Sequence, residues 1–76
     1  MTKKDYELIA GAIRLDIDEV KDMADYLMAK AELQRADRWA NKLVTLQEVA
    51  RHLARQLATD NGRFDSYKFL KACGVE

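Results

Sequence analysis

One uninterrupted run of residues constrains the fold of this chain more than any other feature. The run from Trp39 to Ala58, WANKLVTLQEVARHLARQLA, contains neither glycine nor proline. Its apolar residues recur at alternating steps of three and four, which places them on one side of an α-helix. These residues are Trp39, Leu43, Leu46, Ala50, Leu53 and Leu57. The run therefore predicts a long amphipathic helix whose apolar stripe faces a core.

The length and composition predict a single helical domain over residues 1–76. The chain has no proline, three glycines and many alanine, leucine and charged residues, which is typical of helical proteins. A domain of this size is stable by only about 4–11 kcal/mol. We expect an all-α fold, a small bundle of three or four helices with a short C-terminal lid helix. Its core is expected to contain Trp39, Leu43, Leu46, Leu53, Leu57, Phe64 and Leu70.

Capping patterns predict where the first two helices begin. Thr2 and Asp5 have the spacing of an N-cap and its acidic partner, which starts a helix that reaches about Leu15. Asp16 and Glu19 have the same spacing, so we expect a second helix to start there. Its buried stripe would contain Val20, Met23, Ala24, Leu27 and Ala31.

The connection between the second stripe and the run from Trp39 leaves two alternatives. No glycine or proline lies between Gly11 and Gly62, so one helix from Asp18 to Ala58 satisfies the sequence. In an ideal continuous helix, however, the two stripes would point roughly 80–100° apart. We therefore favour a break at Gln34-Arg35-Ala36-Asp37, with Asp37 capping the next helix.

Clear stop and start signals mark the C-terminal part of the chain. Asp60-Asn61-Gly62 predicts the end of the long helix, because Asn and Gly tolerate the left-handed conformation. Asp65 is placed to cap a short helix from Ser66 to Cys73. Gly74 then stands at the usual stop position, with Val75 packing back on Leu70 as in a Schellman motif.

The residue inventory argues against catalysis and against a metal or cofactor site. One cysteine forms no internal disulfide, and one histidine builds no multi-histidine site. Glu48 and His52 have the spacing of two helical metal ligands, but further ligands are missing. Phosphate-binding glycine loops and nucleophile motifs are absent from the sequence. We expect a protein that is not an enzyme and uses no cofactor. It also lacks a signal peptide or membrane-spanning stretch, which predicts a soluble cytoplasmic protein.

Charge is unevenly distributed and points to a contact surface. The 13 basic and 13 acidic residues cancel overall, which argues against general nucleic-acid binding. Residues 1–29 nevertheless hold four basic and seven acidic side chains, and residues 30–58 hold six and three. The acidic residues cluster at Asp16, Asp18, Glu19, Asp22 and Asp25. Favourable chemistry at a helix start explains the cluster, and so does docking on a basic partner. Tyr26 and Leu33 lie off the apolar stripe and complete the candidate partner-binding set.

Two other functions remain as alternatives. Arg63, Lys68 and Lys71 would supply phosphate contacts if the last two helices formed a DNA-binding helix-turn-helix. The last helix offers few polar side chains to read bases, which argues against this alternative. The second alternative is a structural or assembly protein that self-associates, for example as a homodimer, through Tyr26, Leu33 and the exposed part of the last helix.

The two ends of the chain carry distinctive sequences, the opening KKDYELIAGAIR and the ending LARQLATDNGRFDSYKFLKACG. These ends resemble a group of short proteins encoded by bacteriophages and prophages. The ending is similar to a pattern LAxxLAxDNxRFDxxxFLxACG, and Asp16 to Ala36 looks like a variable insert. The resemblance implies a phage setting, in which small proteins commonly bind a bacterial host or defence protein, as anti-CRISPR inhibitors do. The sequence thus predicts a protein-binding inhibitor that acts through its acidic helix.

Overall fold

Two long antiparallel helices make up most of the molecule. The computed structural model describes residues 1–75, in which α1 spans Lys3–Ala29, α2 spans Leu33–Asp60 and α3 spans Ser66–Ala72. These residues contain helices and no strand, so the fold is all-α. At a rise of 1.5 Å per residue, α1 and α2 are each about 40 Å long. They form a hairpin that measures 45 × 18 × 15 Å with α3 included.

The first helix is longer than its sequence signals predict. Thr2 Oγ1 accepts a hydrogen bond from the Asp5 N–H, and an Asp5 carboxylate oxygen accepts one from the Thr2 N–H. This capping box confirms the predicted start of α1. The second helix start predicted at Asp16 is wrong, because α1 continues through it to Ala29. Ile17 is completely buried beside the exposed Asp16 and Asp18. The carboxylates therefore occupy the outer side of a continuous helix and cap nothing.

The break between the two long helices lies earlier than predicted. It falls at residues 30–32, where Ala31 adopts a left-handed conformation with φ of 59°. The Ala31 and Glu32 N–H groups donate to the carbonyls of Met28 and Leu27, the bond pair of a Schellman motif. The break predicted at 34–37 is wrong, as is the alternative of one helix from Asp18 to Ala58. Ala36 is buried inside α2 and Asp37 caps nothing, since the N-cap residue is Glu32.

The predicted end of α2 and the caps of α3 are confirmed. The long helix ends at Asp60, although Asn61 at the C-cap is extended, with φ of −137°, and is not left-handed. The Asp65 side chain accepts a hydrogen bond from the Lys68 N–H. After α3, Gly74 has φ of 82°, and the Gly74 and Val75 N–H groups donate to the carbonyls of Lys71 and Leu70. This is the predicted Schellman ending.

The fully buried residues of the core are not the ones that the sequence predicts. Its buried cluster contains Ala10, Ile17, Ala50, Ala54, Phe69, Cys73 and Val75. Of the seven predicted core residues, Leu43, Leu46, Leu53, Leu57, Phe64 and Leu70 pack against this cluster while staying partly buried. Trp39 is partly buried outside the cluster. The physical reason is geometric: two helices side by side bury a narrow seam, where alanines allow close approach.

The two ends of the hairpin differ in the number of helices that cover them. At the three-helix end, α3 packs on the first half of α1 and the last half of α2, and the cluster around Ile17 lies there. Tyr6, Phe64 and Phe69 form an aromatic chain at this end, with ring centroids 4.7 and 5.3 Å apart. At the hairpin tip, around the turn at residues 30–32, only α1 and α2 meet. Val20, Leu27 and Ala36 are buried in that part of the seam.

Candidate functional site

A groove of about 910 Å³ runs between the second half of α1 and the first half of α2. Its apolar lining consists of Val20 and Met23 from α1 and Trp39 and Leu46 from α2. The groove exists because the hairpin tip has only two helices, so the sides of both apolar stripes remain open. Trp39 and Leu46, predicted in the core, lie at this opening and are partly buried.

The rims of the groove carry opposite charges. Asp16, Glu19 and Asp22 line it on the α1 side, and Arg38 and Lys42 line it on the α2 side. Tyr26 closes the α1 rim towards the tip, and Asn41 and Thr45 add polar groups on α2. An apolar floor between charged rims is the arrangement that accepts an amphipathic helix.

Two lysines lie over aromatic rings in this region. The Lys42 ammonium is 4.0 Å from the centroid of the Trp39 ring, and the Lys30 ammonium is 4.9 Å from that of Tyr26. Each contact is a cation–π interaction, worth about 0.5–1 kcal/mol at an exposed site. Lys42 thus shields one face of Trp39 while its positive charge remains on the groove rim.

The structure brings together four of the seven predicted partner-binding residues. Asp16, Glu19, Asp22 and Tyr26 all line the groove. The others, Asp18, Asp25 and Leu33, are exposed outside its lining. Asp18 lies 3.7 Å from Arg14 in an exposed ion pair, which contributes less than about 1 kcal/mol. Asp25, seven residues after Asp18, lies on the same side of α1.

Most of the acidic and basic side chains of the hairpin are not paired with one another. Among residues 1–75 the structure has two side-chain ion pairs, Arg14 with Asp18 and Arg35 with Glu32. Both join residues three or four positions apart, and neither links α1 to α2. Intramolecular pairing between the acidic and basic helices, which would explain the uneven charge, is therefore not what the described residues show.

Sequence reasoning missed the α2 side of the groove. Trp39 and Leu46 were assigned to the core and Met23 to a buried stripe, whereas Met23 is 38% exposed. Arg38 and Lys42 entered only through the count of six basic side chains in residues 30–58. The signal that would find this site is the seven-residue repeat of polar and charged positions beside the apolar stripe of each helix.

The remaining chemical groups lie elsewhere. Cys73 is completely buried at the three-helix end, and burial raises the pKa of its thiol because the thiolate would lose its hydration. Glu48 and His52 are exposed on α2. A second, smaller cavity of about 430 Å³ lies between α1 and α3, with Lys3, Arg63 and Lys68 beside Glu7 and Asp65. Its mixed charges select no single class of ligand.

Comparison with known proteins adds no relative to these observations. No family model, curated protein or solved structure matches the chain. Among the described residues, no helix contains an apolar stretch long enough to cross a bilayer.

Proposed function

We propose that this chain is a small protein-binding module that inhibits or redirects a bacterial host or defence protein. The observation that carries the proposal is the exposed acidic half of α1. Asp16, Glu19, Asp22 and Asp25 have no ion-pair partner among residues 1–75, although α2 and its basic side chains lie alongside. Unpaired carboxylates on a helix create a field that attracts and orients a basic protein surface.

In this proposal the two ends of the hairpin have different roles. The three-helix end supplies the scaffold, a small bundle in which α3 serves as a lid, and the second half of α1 supplies the contact surface. Leu33 and Tyr26 are 58% and 53% exposed near the tip, which places apolar contact area beside the carboxylates. Such a mixture of aromatic anchor and charged surround is common in protein interfaces.

The resemblance of the chain ends to short phage proteins supplies the proposed setting, the cytoplasm of a bacterium. In that setting the inhibitor would cover a functional surface of a defence protein, as anti-CRISPR proteins do. The exposed carboxylates of α1 require a basic partner surface. Binding should therefore weaken as ionic strength rises.

The test is capture from bacterial lysate with the tagged protein as bait, after nuclease treatment. We expect one defined protein to bind the wild type and to be lost from a variant with Asp18, Glu19, Asp22 and Asp25 changed to Lys. A control variant changes Glu7, Asp37 and Glu48 to Lys, because these exposed carboxylates lie outside the acidic half of α1. Circular dichroism verifies that both variants fold.

Three results contradict the proposal. One is equal capture by the folded four-residue variant, and another is equal loss in the control variant. The third is retention on heparin or DNA that falls steeply with salt, together with no captured protein. That third result would favour the DNA-binding alternative through Arg63, Lys68 and Lys71.

A further inference from the structure

The floor of the groove at the hairpin tip is an apolar surface that residues 1–75 leave open. Val20 and Met23 of α1 and Trp39 and Leu46 of α2 form this floor. None of the residues that line the groove belongs to α3, and Met23 is 38% exposed. Tryptophan and methionine are enriched at protein interfaces, where an aromatic side chain in a pocket contributes much of the binding energy. The floor therefore has the composition of an interface.

The dimensions of the groove fit a helix. The groove has a volume of about 910 Å³ and is open along its length. Its lining extends from Asp16 to Tyr26 on α1 and from Arg38 to Leu46 on α2. At a rise of 1.5 Å per residue, the α1 segment is about 15 Å long, which corresponds to about three helical turns. An open groove of this length between two packed helices accepts a third helix, whose apolar side chains enter it at steps of three and four residues.

The two rims of the groove carry charges that do not neutralise each other. Asp16, Glu19 and Asp22 line the α1 rim, and Arg38 and Lys42 line the α2 rim. Among residues 1–75 no ion pair joins α1 to α2. A segment that lies in the groove therefore meets negative charge along one flank and positive charge along the other. Charge complementarity requires the opposite charges on the two flanks of that segment.

We propose that the partner protein binds this groove with an amphipathic helix of about three turns, which carries basic side chains on one flank and acidic side chains on the other. The apolar stripe of that helix lies on Trp39 and Met23. Its basic flank faces the α1 carboxylates, and its acidic flank faces Arg38 and Lys42. Turning the helix end for end would exchange the flanks and bring like charges together, so the two rims also fix its direction. This binding mode rests on the proposed function and specifies the basic partner surface as one flank of a helix.

A second copy of the chain offers no helix with these properties. Its α2 packs its apolar stripe on its own α1, and its α3 has only seven residues. Its α1 lies in a segment, residues 1–29, that holds seven acidic and four basic side chains. The acidic α1 rim repels a helix with this net negative charge. The occupant is therefore assigned to a different protein.

The test uses two designed peptides of about 18 residues, a length at which an amphipathic helix forms readily in the groove. Both have the same apolar stripe and contain neither Trp nor Tyr. The mixed peptide has Lys on one flank and Glu on the other, whereas the basic peptide has Lys on both flanks. Trp39 is the only tryptophan of the chain, so a shift of its emission to shorter wavelength reports that the groove floor is covered. We expect the mixed peptide to bind about tenfold more tightly than the basic peptide, whose second flank meets Arg38 and Lys42.

Substitutions in the rim and in the floor test the binding mode. The double variant Arg38→Glu, Lys42→Glu makes both rims acidic and should reverse the preference, so that the basic peptide binds more tightly than the mixed one. Met23→Glu places a carboxylate in the apolar floor and should weaken binding of the mixed peptide about tenfold. Met28→Glu is the matched control and should leave binding unchanged, because Met28 is also on α1, is 58% exposed and lies outside the groove. Circular dichroism verifies that each variant folds.

Absence of binding by the mixed peptide overturns the proposal, as does a peptide preference that the rim variant leaves unchanged or equal weakening by Met23→Glu and Met28→Glu. A mass of twice 8.7 kDa by light scattering that Met23→Glu halves also overturns it, because a second copy would then cover the groove. The proposed function is tested separately, since Met23→Glu keeps every carboxylate of α1. Capture of a host protein that survives Met23→Glu but not the four-residue variant would leave the proposed function standing and overturn the groove as its binding site. Peptide binding in the expected pattern without any captured protein would support the groove and contradict the proposed function.

Discussion

A helix ends in a left-handed residue at both ends of the hairpin, but the residue differs. Both α1 and α3 finish in a Schellman motif, with the same pair of N–H to carbonyl bonds. At the three-helix end, the left-handed residue is Gly74, with φ of 82°; at the hairpin tip it is Ala31, with φ of 59°. Glycine adopts this conformation freely, whereas an L-residue with a Cβ pays roughly 1–2 kcal/mol. The turn at the tip is therefore the less favourable of the two.

The three-helix end and the hairpin tip also differ in how their side chains are packed. The side chains around Ile17 contact three elements, and Cys73 and Val75 from the end of the chain complete their burial. At the tip, Leu27 is equally buried, at 1% exposure, but outside that cluster. The comparison indicates that stability is concentrated at the three-helix end. The tip is held by one seam and leaves its charged and apolar side chains available for contacts.

The largest expected effect tests this difference directly. Ile17→Ala should lower the free energy of unfolding by about 4 kcal/mol, since three surrounding elements hold the cavity open. Leu27→Ala should cost about 2 kcal/mol, because two helices at the tip relax into the space more easily. Urea unfolding followed by circular dichroism at one protein concentration measures both. Met28→Ala, at a position 58% exposed, is the control and should change stability by less than about 0.5 kcal/mol.

Equal losses of unfolding free energy in Ile17→Ala and Leu27→Ala would show that the two ends of the hairpin contribute equally to stability. A larger loss from Leu27→Ala would show that stability is concentrated at the hairpin tip. The total stability expected for 76 residues is only on the order of 4–11 kcal/mol. Ile17→Ala would then leave about 0–7 kcal/mol of stability, so the measurement begins from conditions without denaturant.

A smaller effect tests the ending of α3. Gly74→Ala should lower the free energy of unfolding by about 1 kcal/mol. The cost is conformational, because a Cβ at this position would lie 3.7 Å from Arg14 Cγ and 3.9 Å from Ile17 Cγ2, which are ordinary contacts. Thermal unfolding by calorimetry measures the loss. A much larger loss would show that the Schellman ending also positions Val75 in the core, and no loss would contradict the role of the left-handed conformation.

Local capping signals account for the parts of the fold that the sequence predicts. Thr2 with Asp5, Asp65 before α3, and Gly74 after it each bond to neighbours within a few residues. Such motifs are complete in the sequence itself. The turn at Ala31 was missed because alanine is the strongest helix former and carries no signal for a left-handed conformation. The helix start predicted at Asp16 was wrong because the spacing of a capping box also occurs on the exposed side of a continuous helix.

The candidate site was predictable on one side only. The carboxylates from Asp16 to Asp25 were visible as a cluster of charge. Periodicity told which side of each helix is apolar, but not how many layers cover that side. Trp39 was assigned to the core for this reason, although at the tip no third helix covers it. The number of layers depends on where α3 packs, which is a tertiary property.

The smallest expected effect has the opposite sign and concerns the turn itself. Ala31→Gly should raise the free energy of unfolding by about 0.5 kcal/mol. Removing the Cβ relieves roughly 1–2 kcal/mol of left-handed strain, and the greater freedom of glycine in the unfolded chain offsets about 0.4–1 kcal/mol of it. Ala29→Gly is the matched control, because residue 29 is the last of α1 and exposed, and glycine there should destabilise. If Ala31→Gly destabilised the protein as Ala29→Gly does, the tip would carry no strain. The two helix endings would then be equivalent, and only the packing would distinguish the two ends of the hairpin.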